Sequence, residues 1–72
     1  MKVTVKEFIN IIERLKHGSK YLAIIENKKV VTLIPKNLKN NETVETIIFN
    51  KEDLIKILSI LRRKHVEIIT LP

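Results

Sequence analysis

Two segments of this chain carry apolar residues at helical spacing, and both are followed by short runs rich in β-branched residues. The first stripe has the period of an amphipathic helix and consists of Val5, Phe8, Ile9, Ile12 and Leu15. The second has the same period and consists of Leu54, Ile57, Leu58 and Leu61. Because helical and β-rich segments succeed each other within 72 residues, the sequence predicts an α+β fold built as one domain over residues 1–72.

The first helix has recognisable start and stop signals. Thr4 and Glu7 have the spacing of a capping box, which predicts a helix beginning at Val5. Gly18, the only glycine of the chain, follows the stripe where a helix C-cap favours glycine. We therefore predict the first helix over residues 5–17.

The other elements follow from β-rich runs and one further cap. Residues Asn27 to Lys29 form a polar turn between two such runs, which predicts a β-hairpin. Asn50 is placed to cap the second helix, which ends in the basic run 62–65. The predicted strands are residues 21–25, 30–34, 44–49 and 66–71, and a short strand at 2–4 can precede the first helix. The order α-β-β-β-α-β predicts a small mixed or antiparallel sheet with two helices packed on one face.

The predicted strands are apolar on both sides. In the first strand Tyr21, Ala23 and Ile25 share one face, while Leu22 and Ile24 share the other. Two helices cover only one face of a small sheet, and an apolar patch on the second face is typical of an interface. We therefore expect a homodimer, or a protein partner on this face.

The chain is strongly basic. It has 14 Lys and Arg against 8 Asp and Glu, which gives a net charge of +6. Such a balance favours acidic partners, nucleic acid first. The same richness in Lys, Glu and Ile is typical of thermophile proteins, in which the charge serves solubility.

Seven cations are the candidate contacts to nucleic acid. They lie at the predicted hairpin tip, in the loop after Pro35 and at the end of the second helix, where loop or helix-end cations suit phosphate contacts. They are Lys28, Lys29, Lys36, Lys39, Arg62, Arg63 and Lys64. The helix-end run has a second explanation, because cations also complement a helix C-terminus.

Residues for catalysis or metal binding are scarce. The chain has no cysteine, and one glycine cannot form a Gly-rich phosphate loop. His17 and His65 are far apart, and each lies at a predicted helix end, where an imidazolium complements the helix dipole. We expect no enzyme activity, no cofactor and no metal.

Apolar runs are too short to cross a membrane, which needs roughly 20 residues. The longest are a few residues, as in Leu22 to Ile25, and the N-terminus lacks the apolar region of a signal peptide. We expect a cytoplasmic protein without membrane contact. Phe8, Tyr21 and Phe49 are the only aromatic residues, and single-strand binders need rows of stacking rings, so duplex binding is favoured.

Part of the chain resembles a known family. The matching segments are Val3-Thr4-Val5, Glu7-Phe8, Leu15-Lys16-His17-Gly18, Ile24-Ile25, Lys28-Lys29 and Val30 to Pro35. In this order, residues 3–35 resemble the N-terminal region of Phd/YefM-type antitoxins, and the resemblance implies dimerisation and binding of operator DNA. A strand, a helix and another strand follow Pro35 in place of a toxin-wrapping tail, so toxin neutralisation is not expected.

Two functions from different classes follow from the sequence. The first is a small basic dimeric domain that binds nucleic acid, with duplex DNA favoured. The second is a non-enzymatic interaction or assembly module, such as an adaptor, a viral accessory protein or a ribosome-associated protein, whose charge is solubilising only. The double-stranded RNA-binding domain shares the α-β-β-β-α order, but its second helix begins with basic residues, whereas here it opens Lys51-Glu52-Asp53.

Overall fold

A computed structural model describes residues 1–37 and 43–72 of the chain. These residues form an α+β fold in the predicted order α-β-β-β-α-β. The elements are α1 (Val5–Glu13), β1 (Tyr21–Glu26), β2 (Val30–Pro35), β3 (Glu45–Ile48), α2 (Leu54–Arg63) and β4 (Glu67–Thr70), with 3₁₀ turns at Gly18–Lys20 and Lys51–Asp53.

The four strands form one mixed sheet in the order β3-β2-β1-β4. β2 is antiparallel to both its neighbours, whereas β1 and β4 are parallel, so β1, β3 and β4 all run in one direction. The strand predicted at residues 2–4 is reduced to a single parallel bridge between Lys2 and Ile48. Each helix therefore connects parallel strand segments, which requires it to run back along the sheet.

The hairpin between β1 and β2 closes through a tight turn. Asn27 and Lys28 have φ of 53° and 60°, and the N–H of Lys29 donates to the carbonyl of Glu26 at 3.2 Å. Positive φ at both central residues defines a type I′ turn, whose twist matches that of the strands. Lys28 thus occupies a left-handed position that usually carries glycine.

Both helices pack on one face of the sheet. Strand residues Ala23, Ile25, Val31, Leu33 and Ile47 are buried together with Phe8 and Ile12 of α1 and Ile57, Ile60 and Leu61 of α2. The opposite side, here called the open face, carries the alternate strand residues, and no helix among the described residues covers it. It consists of Leu22, Ile24, Glu26, Val30, Thr32, Ile34, Thr46, Ile48, Glu67 and Ile69.

The first helix is shorter than predicted, and Gly18 is not its cap. α1 ends at Glu13, where Arg14 and Leu15 donate to carbonyls three residues back instead of four. Gly18 has no positive φ, so it does not serve as a left-handed C-cap. A Cβ at this position would collide with the backbone carbonyl of Lys64, so glycine is required because two segments approach closely.

The second helix differs from its prediction at its start and along its stripe, and it ends within the predicted basic run, at Arg63. The Asn50 side chain makes no capping bond. The backbone carbonyl of Asn50 instead accepts from the N–H of Asp53 in a 3₁₀ turn that precedes α2. Ile60 is buried and Leu58 only half-buried, because the helix faces the core through positions 57, 60 and 61.

The left-handed cap expected at Gly18 is found at the end of α2. His65 has φ of 59°, and its N–H donates to the carbonyl of Arg62 at 3.0 Å. The N–H of Val66 donates to the carbonyl of Leu61 at 3.1 Å. These two bonds form a Schellman motif, and the buried side chains of Leu61 and Val66 supply its hydrophobic part.

Candidate nucleic-acid interface

The two ends of the sheet differ in the segments they bring together. We call the end at the hairpin turn 27–29 the tip end and the opposite end the basic end. At the basic end the N–H of Lys36 donates to the carbonyl of Lys20 at 2.8 Å, which extends the β1–β2 ladder. Both helices begin after residues at the tip end and run back, so both helix C-termini lie at the basic end.

A basic hollow with a volume of ≈ 520 Å³ opens at this end. Its basic lining residues come from the exit of α1, the following 3₁₀ turn and the end of β2, and they are Arg14, Lys16, His17, Lys20 and Lys36. Tyr21 contributes the aromatic ring, and the lining residues include no carboxylate within the described ranges 1–37 and 43–72. Positive charge gathered from the segment 14–20 and from Lys36 makes the hollow suited to an anionic ligand.

One of these cations is partly neutralised. The ammonium of Lys36 lies 2.9 Å from a carboxylate oxygen of Glu67, which stands at the start of β4. Both side chains are about half exposed, so the pair contributes little stability and is screened by salt. Lys36 can therefore exchange this partner for a phosphate at small cost.

The basic run at the end of α2 lies at the same end of the sheet. Arg62 and Arg63 are exposed. Lys64 is half-buried, and its ammonium donates a long bond of 3.5 Å to the carbonyl of Leu15, just beyond α1. Lys64 thus links the exits of both helices, a structural role that its charge alone did not predict.

The predicted cations are divided between the two ends. Lys36 and the run 62–64 lie at the basic end, whereas Lys28 and Lys29 form the hairpin turn at the tip end. The six residues of β1 separate the ends by about 20 Å, at about 3.3 Å per residue. Lys39 lies outside the described residues. The six predicted contacts that the structure describes therefore do not form one surface.

Sequence reasoning missed three cations of the hollow. Arg14 and Lys16 were not predicted as contacts and fell within the predicted helix 5–17, whereas Lys20 fell between that helix and the predicted strand 21–25. The segment from Arg14 to Lys20 contains four basic side chains in seven residues, His17 included. The run at residues 62–65 has the same number of basic side chains in four residues, so the sequence carried this signal in a more dilute form.

Other features of the described residues have structural explanations. A larger hollow of ≈ 610 Å³ adjoins the basic one, but Glu7 and Glu45 line it together with apolar side chains. The pKa of Glu7 lies below its ordinary value, because its carboxylate accepts from the backbone N–H of Thr4 and interacts with the Thr4 hydroxyl. Over residues 1–37 and 43–72 no group of three or more His, Asp or Glu side chains is arranged to hold a metal ion. Neither helix in these ranges is long and apolar enough to traverse a bilayer.

Comparison of the chain with models of protein families, with curated proteins and with solved structures finds no match. The resemblance of residues 3–35 to Phd/YefM-type antitoxins therefore stays a prediction, and the function has to be argued from the geometry of the chain itself.

Proposed function

We propose that this protein binds nucleic acid, with duplex DNA as the favoured ligand, by taking backbone phosphates into the basic hollow. The observation that carries the proposal is the composition of its lining, in which four basic residues of the segment 14–20 meet Lys36 of a second segment, without a carboxylate among the described lining residues. Cations placed in this way contact phosphate oxygens and fix the protein on the nucleic acid without reading its sequence.

The helix dipoles offer a competing explanation for some of these charges. A helix C-terminus stabilises cations within its last turn, which accounts for Arg62 and Arg63 on α2. It does not account for Lys20 and Lys36, which pair at the end of the β1–β2 ladder, beyond both helices. Lys36 is partly neutralised by Glu67, so it is Lys20 above all that favours an external anion as the ligand.

The lining also favours a duplex over a single strand. Tyr21 is the one aromatic residue among the described lining residues of the hollow. Proteins that bind single strands without sequence preference stack successive bases on several rings. A hollow with cations and one half-buried ring is better suited to a phosphate backbone.

The proposal is tested by titrating a labelled duplex at several salt concentrations. Each lost phosphate contact flattens the log–log salt dependence by about 0.9. We expect Arg14→Ala combined with Lys20→Ala to flatten it by about 1.8, because both side chains line the hollow. Lys28→Ala with Lys29→Ala removes the same charge at the tip end and is the matched control. Equal slopes for both double variants, or no duplex binding by the wild type at low salt, would contradict the proposal.

The second candidate is a protein-interaction or assembly module with a solubilising charge. The open face favours it, since Ile48 and Ile69 are 38% and 41% exposed and belong to an apolar surface. The same titration separates the two candidates. If the protein is an interaction module, the double variants at the basic end and at the tip end should change the salt dependence of duplex binding equally.

A further inference from the structure

The larger hollow that adjoins the basic hollow lies between α1 and the helix side of β2 and β3, and we call it the α1–β3 hollow. Its volume of ≈ 610 Å³ is within the range of roughly 300–1,000 Å³ that is typical of small-molecule sites. Val3 and Leu33, both buried, form its apolar inner wall. One face of α1 supplies Glu7, Ile11 and Arg14, because residues three and four positions apart lie above one another on a helix.

The two hollows meet at the basic end, because they share three lining residues. These are Arg14, Tyr21 and Pro35. Tyr21 is half-buried, and its side chain lies between the cations of the basic hollow and the apolar wall of the α1–β3 hollow. A single ring cannot hold a row of stacked bases, but it suffices for one base.

The charged side chains of the α1–β3 hollow differ from those of the basic hollow. Glu7 and Glu45 line it, and carboxylates repel a phosphate but accept hydrogen bonds from amino groups. Adenine, cytosine and guanine carry an exocyclic amino group, whereas thymine carries none. Glu7 already accepts from the N–H of Thr4 at 3.0 Å, so Glu45, exposed at the start of β3, is the more available of the two carboxylates.

We propose that the two hollows together bind one nucleotide whose base is unpaired. The phosphate enters the basic hollow, and the base enters the α1–β3 hollow, where it stacks on Tyr21 and its amino group donates to Glu45. The phosphate half of this site rests on the function proposed above. On a duplex, an overhanging terminal nucleotide offers these groups, since a base inside the stack cannot reach the ring. A free nucleotide offers the same groups, and the experiments below separate the two sources.

The first experiment compares three small ligands at low salt by amide-resolved NMR titration. Deoxyadenosine monophosphate should bind at least tenfold more tightly than deoxyribose phosphate, which has the sugar and the phosphate but no base to stack. Thymidine monophosphate should bind more weakly than deoxyadenosine monophosphate, because it lacks the exocyclic amino group. Equal affinities for deoxyadenosine monophosphate and deoxyribose phosphate overturn the proposal, because the α1–β3 hollow then contributes nothing.

The second experiment changes the ring. Tyr21→Leu keeps an apolar side chain and removes the stacking surface, so it should weaken deoxyadenosine monophosphate about tenfold and leave deoxyribose phosphate unchanged. Tyr21→Phe keeps the ring and should bind both ligands as the wild type does. The unchanged sugar phosphate also reports that the basic hollow of the Tyr21→Leu variant is intact. Equal losses for both ligands in Tyr21→Leu overturn the stacking role.

The third experiment changes the carboxylate and measures a ratio of affinities. Glu45→Ala removes a negative charge, which favours every anionic ligand, so the readout is the preference for deoxyadenosine over thymidine monophosphate. This preference should fall severalfold in Glu45→Ala. Glu52→Ala removes the same charge at an exposed position of the tip end and should leave the preference unchanged. A preference that survives Glu45→Ala overturns the contact between Glu45 and the base.

The last experiment uses a duplex with a single overhanging deoxyadenosine, and its control carries an abasic residue at the overhang and has the same number of phosphates. The wild type should bind the first duplex severalfold more tightly, and Tyr21→Leu should remove this difference without changing the salt dependence. A stacked overhang that gives no advantage, together with tight binding of deoxyadenosine monophosphate, identifies the free nucleotide as the source. Duplex binding through the basic hollow without any effect of the base overturns the nucleotide site and leaves the proposed function standing. Binding of deoxyadenosine monophosphate without binding of any duplex does the reverse.

Discussion

The two ends of the sheet carry similar numbers of exposed lysines but organise them differently. At the tip end Lys28 and Lys29 are adjacent in one turn, and the acidic residues Glu52 and Asp53 lie in the turn that precedes α2. At the basic end the cations of the segment 14–20 line one hollow together with Lys36, and the run 62–64 lies at the same end because α2 runs back along the sheet.

This difference teaches that charge density along a chain and charge density in space are separate properties. The lysine pair at the tip is dense in sequence, but its turn projects from the sheet, away from the other candidate cations. The hollow combines four basic side chains of the segment 14–20 with Lys36, which the pairing of β1 and β2 brings alongside Lys20. An anion that meets several cations at once gains more than one that meets two, so the fold favours the basic end as the binding end.

The largest loss of stability is expected at Gly18, which lies against the backbone of Lys64 at the basic end. Gly18→Ala introduces a Cβ that collides with the backbone carbonyl of Lys64. A backbone atom cannot yield as a flexible side chain can, so the variant should lose about 1–3 kcal/mol of unfolding free energy. Chemical denaturation measures this loss. Ser19→Ala, at the exposed next residue, should change stability by less than about 0.5 kcal/mol.

The Gly18→Ala variant also tests whether duplex binding depends on the shape of the basic end. Displacement of residue 18 moves the exit of α1 relative to the end of α2, so duplex binding should weaken even though no charge is lost. If Gly18→Ala is as stable as the wild type, the close approach of these segments is not a constraint, and the hollow has a different shape from the one described.

The next-largest changes in stability are expected at two residues with a left-handed backbone, one at each end of the sheet. His65 at the basic end and Lys28 at the tip end both have φ near 60°. A residue with a side chain is destabilised by roughly 1–2 kcal/mol in this backbone conformation, and glycine avoids that cost. Glycine loses more conformational entropy on folding, which offsets part of the gain. His65→Gly and Lys28→Gly should therefore each stabilise the fold by a few tenths to about 1 kcal/mol, measured as shifts in denaturant midpoint.

The double variant sharpens this comparison. The two sites lie at opposite ends and share no partner, so their effects should add within about 0.5 kcal/mol. A clear departure from additivity would show that the ends are coupled through the sheet. Destabilisation by either glycine would mean that the residue's side chain contributes contacts beyond its backbone conformation.

Much of the fold could be predicted from the sequence because the signals were local. The capping box at Thr4 and Glu7, the apolar period of α1 and the turn at residues 27–29 each act within a few residues. The end of α1 could not be predicted in this way. It depends on the contact between Gly18 and Lys64, which are 46 positions apart, and a local rule assigned the glycine to a cap.

The candidate site was predicted less well for the same reason. Its cations are close together only after α1 ends early and β2 brings Lys36 alongside Lys20. Lys28 and Lys29 were favoured because they are adjacent in sequence, and the pairing of β1 with β2 carries them to the far end. The open face was anticipated correctly, since alternation within a strand is a local property.

The smallest change in stability is expected at the N-terminus of α1, where the Glu7 carboxylate forms part of the capping box. The Thr4 N–H donates to Glu7 at 3.0 Å, and the Glu7 N–H donates to the Thr4 hydroxyl at 3.1 Å. The bond from the Thr4 N–H to the carboxylate, followed by the interaction of the carboxylate with the Thr4 hydroxyl, lowers the pKa of Glu7 below its ordinary value of 4.5, so the folded state binds this proton more weakly than the unfolded chain. The resulting stability is fully present above the unfolded pKa and is lost as the pH falls through the folded pKa.

Glu7→Gln tests this directly, because glutamine keeps the shape of the capping box and removes the charge. The variant should be slightly less stable than the wild type at neutral pH, and the difference should shrink as the pH falls below about 4.5. Denaturant midpoints measured between neutral pH and pH 3 give this difference. In a Thr4→Ala background the difference should be smaller at every pH, since the hydroxyl half of the capping box is then missing. A difference that is independent of pH would assign the contribution of Glu7 to packing or helix propensity instead of its ionised carboxylate.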